Sequence, residues 1–320
     1  MNKHTLKRAG LQFYDPEDFY AKEVTLRRGR ETKVWIHKPS GHGLLDPENW
    51  VSDSYYEEEY REQFSAESNG QKKKTNEHFE VFKDLNQKQF NKFYKFINSA
   101  TKFLEIGPSH GGIIAHVIDK ADICHAVEPN IEDAQYLDKK FPKLQVYNTL
   151  LEDTLLQEDF YNVVVSFEVL EHTVCPFRFL KKINKSLVKS GALILEVPNH
   201  HDALLSCYNK DTNYDKFYYH KAHIHYFTPT SLKDICEKTG FVGQVDSFLM
   251  YPFFNHVSWH QNARPQVNAS VALTSPKPTA GDSVTQLKID NFYKKVEREY
   301  EEIINSSMVG DCLIFKGFKK

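Results

Sequence analysis

At 320 residues the chain is long enough to bury one large core with elaborations around it. Its 41 Lys and Arg against 43 Asp and Glu leave a formal net charge of −2, which excludes a whole-chain attraction to nucleic acid or an anionic membrane. Cys124, Cys175, Cys207, Cys236 and Cys312 are widely spaced with no Cys-x-x-Cys pair, no run reaches membrane-span length and no apolar segment follows the start, so a reducing, cytoplasmic setting is expected, without a zinc knuckle or disulfide framework.

Residues 1–70 read as an N-terminal extension without clean periodicity. Val24-Thr25-Leu26 and Val34-Trp35-Ile36 are predicted as two short strands around the turn Arg28-Gly29-Arg30. Pro39, Gly41, Gly43 and Pro47 mark loop. Ser52 or Asp53 is placed to cap a helix through Tyr55, Tyr56, Tyr60 and Phe64. From 71 to 98 the spacing of Phe79, Phe82, Leu85, Phe90, Phe93, Phe96 and Ile97 fits one or two amphipathic helices. They lead into a core region, 71–249.

From 101 the α/β alternation is regular. Thr-Lys-Phe-Leu-Glu-Ile-Gly-Pro-Ser-His-Gly-Gly (101–112) reads as a strand at 102–106, a glycine turn and a helix over 111–119. Further strands are predicted at 123–127, 144–147, 161–167, 192–197 and 241–249. Helices carry Ala134, Leu137 and Phe141, then run from Pro176 to Val188, then pass through Leu232, Ile235 and Cys236. A long polar and aromatic loop, 199–227, holds His200, His201, His220, His223 and His225. Residues 250–286 read as a flexible insertion, because 261–285 hold Pro, Ser and Thr with few large apolar side chains. The segment 287–320 supplies a charged amphipathic helix over 287–304 and a last strand at 312–318. Strands separated by such helices imply a doubly wound α/β sheet covered on both faces, with ligands outside the carboxyl ends of the strands. Gly107, Glu128, Glu168 and Pro198 fall at those ends.

The glycine turn itself leaves several ligands open. A dinucleotide fold wants a glycine where Ser109 stands, and a P-loop wants Lys-Ser or Lys-Thr after the last glycine. Glu105, an acid two residues before Gly107, suits a ligand with a cationic amine better than a pyrophosphate.

With these residues in view, the chain resembles the class I S-adenosylmethionine-dependent methyltransferases from about 101 to 249, with the last strand near 312–318. Four stretches carry the resemblance: Glu105-Ile-Gly107-Pro-Ser-His-Gly111, Glu128 after the second strand, Val163-Val-Val-Ser-Phe-Glu168-Val-Leu-Glu171-His172, and Gly191-Ala-Leu-Ile-Leu-Glu-Val-Pro198-Asn199. The pattern His223-Ile-His225-Tyr-Phe227, followed by Gly240-Phe241, is similar to a broad subgroup that includes sugar, glycan and ubiquinone-type methyltransferases. The resemblance implies a seven-stranded, mostly parallel, Rossmann-like sheet and S-adenosyl-L-methionine as cofactor. The N-terminal extension and the insertion before the last strand depart from it. By the same resemblance, Gly107, Pro108 and Gly111 pass the cofactor's methionine part and Glu105 holds its ammonium. Glu128, with Pro129, takes the ribose hydroxyls, since a carboxylate accepts two hydrogen bonds at once. Leu151 and Glu152 fall at the adenine loop, and Phe167 and Glu168 line the cofactor near the reacting methyl.

Methyl transfer is an in-line displacement in which the protein aligns acceptor and methyl and excludes water. A hydroxyl or amine acceptor must also lose a proton. The candidates to take it are His225, His223 and His172, with His225 slightly preferred. On a helical turn Glu168, Glu171 and His172 share a face. That suits a base, a divalent-metal site as the ubiquinone-type resemblance implies, or hydrogen bonds that hold the loop. The expected activity is O-methylation of a small-molecule acceptor such as a sugar or glycan precursor, with no nucleic-acid partner and no membrane span. The alternatives are an RNA or protein methyltransferase, or a cofactor-binding subunit without activity of its own.

Overall fold

Phe103-Leu104, Val163-Val164-Val165 and Ile194-Leu195 are apolar runs without polar alternation, and all of them are buried. Such runs belong to strands covered on both faces. The computed structural model of the chain describes residues 1–27, 29–51, 55, 67–68, 71–72, 79–208, 212–266, 273, 275 and 278–320. In it the three runs lie side by side, with Phe103 paired to Val163 and Val163 to Ala192.

In chain order the strands are β1 (Phe19–Thr25), β2 (Glu31–His37), β3 (Gly43–Leu45), β4 (Glu67–Ser68), β5 (Gln71–Lys72), β6 (Lys102–Ile106), β7 (Ile123–Val127), β8 (Gln145–Tyr147), β9 (Tyr161–Phe167), β10 (Leu187–Pro198), β11 (His225–Tyr226), β12 (Phe241–Phe248) and β13 (Cys312–Lys319). The main sheet has seven strands in the order β12-β13-β10-β9-β6-β7-β8. β6 to β10 pair in parallel, and β13 runs antiparallel to both neighbours. The chain winds from β6 outward to β8, then returns to β9 and β10 on the other side. That reversal creates a switch point between the carboxyl ends of β6 and β9. The doubly wound sheet expected from the sequence is present.

Alternate residues of each strand feed two core layers. Leu104, Val164 and Leu195 pack with Phe179, Ile183 and Leu232. Phe103, Val163 and Ile194 pack with Phe93, Ile114 and Leu137 on the other face. The first layer also holds Leu6, Leu11, Phe19 and Leu44. The N-terminal residues therefore share the main core instead of hanging from it. β1, β2, β3 and β11 form a second, antiparallel sheet, in which His225 pairs with Leu44.

Several expectations are corrected. β3 lies in the stretch 39–47 read as loop, where three residues between Gly41 and Pro47 leave no period to detect. The loop 199–227 contains β11 and two short helices, Ala203–Ser206 and Asp215–Tyr218. The helix after β6 is only Ile114–Val117, because Gly111 takes a left-handed φ of +75° that interrupts it. The helix from Pro176 ends at Ser186, since β10 starts at Leu187 and bulges before Ala192 around a left-handed Ser190. The insertion opens with a built helix, Phe253–Asn262. Its Phe254 stacks on Tyr293 at 5.3 Å, and its buried Trp259 meets Tyr214 edge-on at 4.9 Å. The final helix is Ser283–Ser306, started by Asp282, whose carboxylate accepts the Thr285 N–H. The expected helix through Tyr56, Tyr60 and Phe64 lies outside the described residues, as do 267–272, 274, 276 and 277 of the insertion. No described helix is long and apolar enough to cross a membrane.

The helix Phe253–Asn262 yields a direct test. Trp259→Ala removes a buried aromatic that fills a Tyr and Phe cage. It is expected to lower unfolding free energy by about 3–5 kcal/mol, read from urea midpoints. A change below ~1 kcal/mol would mean that this helix contributes little to the core.

Candidate active site

At the switch point β6 ends in Gly107, whose φ is +73°. A side chain there would begin 2.5 Å from Val169 Cγ2. The glycine therefore lets the turn after β6 lie against the turn after β9. Gly111 serves another purpose, because a Cβ there would meet Leu137 and Phe141 at 2.6 and 2.7 Å. Its bareness lets the helix Ile131–Lys140 pack closely, and neither Gly111 nor the buried Pro108 is part of the cavity wall.

The cavity has a volume of about 600 Å³. Its wall brings together Gly107, Ser109, Glu128, Pro129, Leu151 and Glu152 with Phe167, Glu168 and His172. Glu128 is buried after β7, and its two carboxylate oxygens accept the Ser109 and Asn130 N–H groups, each at 2.9 Å. Glu105, buried on β6 behind that wall, is pushed up to about 8 by burial and then by the neighbouring Glu128. Its Oε2 meets no protein donor.

Glu168 stands just past β9 in a left-handed conformation, φ +55°, which a non-glycine residue seldom adopts. Its N–H donates to the Glu196 carbonyl at 2.9 Å, and its Oε1 accepts the Cys312 thiol at 3.5 Å. Burial and then Glu171 push its carboxyl well above the usual range. Glu171 and His172 belong to a tight turn, Leu170–His172, and not to an α-helix. The expected shared face therefore does not form. Glu168 groups with Glu196 and Cys312, while Glu171 and His172 group with His223.

In that second group the ligating atoms of Glu171, His172 and His223 all lie within 4.8 Å of one another. His172 Nδ1 donates to the Ala222 carbonyl at 2.9 Å, which leaves Nε2 as the lone-pair nitrogen, 3.5 Å from Glu171 Oε1. Burial holds His172 down at about 4 and His223 well below 6.5, so both rings are neutral at pH 7. Glu171 is 1% exposed, has no hydrogen-bond donor on either carboxylate oxygen, and is pushed up to about 8 by burial.

His225 is elsewhere. β11 carries it into the small sheet, away from the cavity wall. Its Nε2 donates to the Val174 carbonyl at 3.4 Å, and its Nδ1 accepts from His42 Nε2 at 3.1 Å. His42 Nδ1 in turn faces the Ser231 hydroxyl at 3.2 Å. His223 precedes the strand in a turn closed by its N–H on the His220 carbonyl, so the two rings diverge where an extended chain would have aligned them. Arg8, Val51 and Arg178 also reach the cavity, from segments that carry no motif. Only their place in the fold reveals them.

The methyltransferase-domain family matches residues 55–244. The chain belongs to that family. With its seven-stranded sheet and switch-point acids it is a class I, S-adenosylmethionine-dependent methyltransferase. Among solved structures, it is similar to an S-adenosylmethionine-dependent methyltransferase from Archaeoglobus fulgidus (15% identity, TM-score 0.48, covering 74% of this chain and 94% of that one). It is also similar to a putative one from Listeria monocytogenes (15%, 0.47, 73% and 98%). A third is the complex of a Haloferax volcanii putative methyltransferase with the activator Trm112 (12%, 0.46, 75% and 97%). No curated protein matches the chain. The residues present fit the cofactor: the unpartnered Glu105 oxygen suits an ammonium, and the Glu128 carboxylate lies on the cavity wall.

These titrations make the protein's stability depend on pH in a definite way. Glu105 and Glu171 have folded values near 8 against 4.5 for the ordinary group, so their contribution is whole below 4.5 and is lost as pH rises toward 8. His172 and His225 are lowered to about 4 and about 3, so theirs is whole above 6.5 and is lost as pH falls. Ligand-free protein is therefore expected to lose stability on both sides of roughly pH 6. Glu171→Gln should flatten the alkaline limb by up to ~1.4 kcal/mol per pH unit, measured by urea midpoints from pH 5 to 8.5. An unchanged limb would mean that Glu171 is ionised in the fold.

Proposed function

We propose that the chain O-methylates a small hydroxyl-bearing acceptor, such as a sugar or glycan precursor. The supporting observation is that one cavity is lined both by Glu128 and Glu168 and by His172, which groups with Glu171 and His223. S-adenosylmethionine supplies a methyl group on a sulfonium. In this reading Glu105 meets its ammonium, Glu128 its ribose hydroxyls, Leu151 and Glu152 its adenine, and Phe167 and Glu168 flank the transferable methyl. His172 takes the acceptor's proton at Nε2, because its other nitrogen is committed to Ala222. Glu171 lies 3.5 Å from that nitrogen and, once ionised above its raised value near 8, stabilises the imidazolium that forms.

A second reading rests on the same group. Two carboxylate oxygens without donors and two neutral imidazoles are also the donor set for a divalent cation. Such an ion would bind the acceptor oxygen and lower its pKa.

Two experiments test these roles. With an acceptor panel of sugars, nucleotide sugars and glycan precursors, His172→Ala is expected to lower turnover by about 10²–10⁴, with S-adenosylhomocysteine affinity held within about twofold. His225→Ala should instead lower stability. If His225→Ala silences a well-folded, cofactor-binding enzyme and His172→Ala does not, the base is misplaced. Mn²⁺ binding followed by electron paramagnetic resonance, and its loss in Glu171→Gln, would carry the cation reading; no Mn²⁺ binding would remove it. Separately, Glu128→Ala removes charge-assisted hydrogen bonds of roughly 1.5–3 kcal/mol each. Calorimetry should show cofactor affinity weakened at least about tenfold, and an unchanged value would refute the ribose contact.

A further inference from the structure

Two arginines also face the cavity. Arg8 ends the helix Lys3–Arg8, and Arg178 lies in the first turn of the helix Pro176–Ser186. Both are exposed, and neither pairs with a carboxylate. Of the three acids on the wall, Glu128 is held by backbone amides, Glu152 lies beside Lys182, and Glu168 accepts the Cys312 thiol. The Arg8 guanidinium sits 4.8 Å over the Trp50 ring, a contact that orients the planar group without neutralising it. Close packing brings the two segments together. A Cβ on Gly10 would lie 2.9 Å from both Cys175 Sγ and Phe177 Cβ, so the N-terminal chain rests directly on the start of Arg178's helix.

Exposed arginines are ordinary; their position relative to the cofactor is what matters here. The cofactor's only anionic group, its carboxylate, shares a carbon with the ammonium that Glu105 meets at the glycine turn. Arg178's helix instead packs on the turn Leu151–Asp153, at the adenine end. The cofactor therefore has no anion to offer there.

We infer that the acceptor carries an anionic group, a phosphate or a carboxylate, which Arg8 and Arg178 bind at the rim of the cavity. His172, Thr173, Val174 and Cys175 are four consecutive wall residues that run from the histidine end to the arginine end. Extended, they span roughly 10 Å, about the length of a sugar ring with an ester-linked anion. A reacting hydroxyl at His172 thus places the anion at the guanidiniums, whose forks match phosphate or carboxylate. Exposed Lys3, Lys7 and Lys181 on the same two helices extend the positive field outward on a chain whose net charge is −2. Such a field draws anions to the mouth.

The inference rests on the methyltransferase reading, and the two fail separately, because S-adenosylhomocysteine binding reports the cofactor half alone. The test is calorimetry on the full chain saturated with S-adenosylhomocysteine, titrated with inorganic pyrophosphate and, separately, with malonate. At least one should bind, and the double variant R8Q/R178Q should weaken it tenfold or more. Its S-adenosylhomocysteine affinity should stay within twofold, which also shows that it is folded. K7A/K181A should keep most of the binding. Pyrophosphate alone would indicate a phosphate ester, and malonate alone a carboxylate. The inference is overturned if neither anion binds, if the double variant binds as well as the native chain, or if a folded double variant loses cofactor affinity. It is equally overturned if a single-stranded oligoribonucleotide binds and K7A/K181A abolishes that binding as fully as R8Q/R178Q.

Discussion

Five glutamates at the carboxyl edge of the main sheet are taken wholly or partly out of water, and the site depends on how that is tolerated. Only Glu128 has both oxygens met by backbone amides. Glu105, Glu171 and Glu196 each keep at least one oxygen without a protein donor. A buried, unpaired carboxylate costs several kcal/mol, so such groups stay protonated or sit where a cation will arrive. All three are pushed upward for that reason. A cofactor that carries an ammonium and a sulfonium is complementary to such an edge. A pyrophosphate is not, in keeping with a turn that has Ser109 where a dinucleotide fold has its second glycine and lacks the lysine of a P-loop.

The second constraint is closure. N-terminal residues share one layer of the main core, and Arg8 and Val51 line the cavity. β11 borrows a pairing partner from β3, and the chain Val174–His225–His42–Ser231 ties that sheet to the loop after β9 and to the helix Pro229–Lys238. Neutral imidazoles suit this work because each can donate at one nitrogen and accept at the other. Burial keeps both rings neutral. The histidine that looked most like a base from its place after the fifth strand thus links the small sheet to the loop after β9.

How much could be read in advance follows from range. The strands at 102–106, 123–127 and 161–167 were legible because continuous apolar runs bounded by turn residues declare themselves locally. The cavity lining was partly legible too, since Gly107, Glu128, Phe167 and Glu168 sit at strand ends where a doubly wound sheet collects ligands. The rest of the lining draws on Arg8, Val51, His172 and Arg178, which no local period relates. β3 was hidden because three residues carry no period, and the helix Phe253–Asn262 because its aromatic contacts come from Tyr214, Phe217 and Tyr293.

The Glu168–Glu171–His172 segment shows how spacing can mislead at the point where chemistry is concentrated. Offsets of three and four residues put side chains on one face only if the backbone is α-helical throughout. Here Glu168 is left-handed and the turn after it is tight, so one short motif feeds two neighbouring clusters. Glu168 groups with Glu196 and Cys312, whereas Glu171 and His172 group with His223. The strain at Glu168 is held in place by its N–H on the Glu196 carbonyl and by Val169 packed over Gly107. The same bare glycine, by admitting Val169, therefore fixes the turn from which both clusters are built.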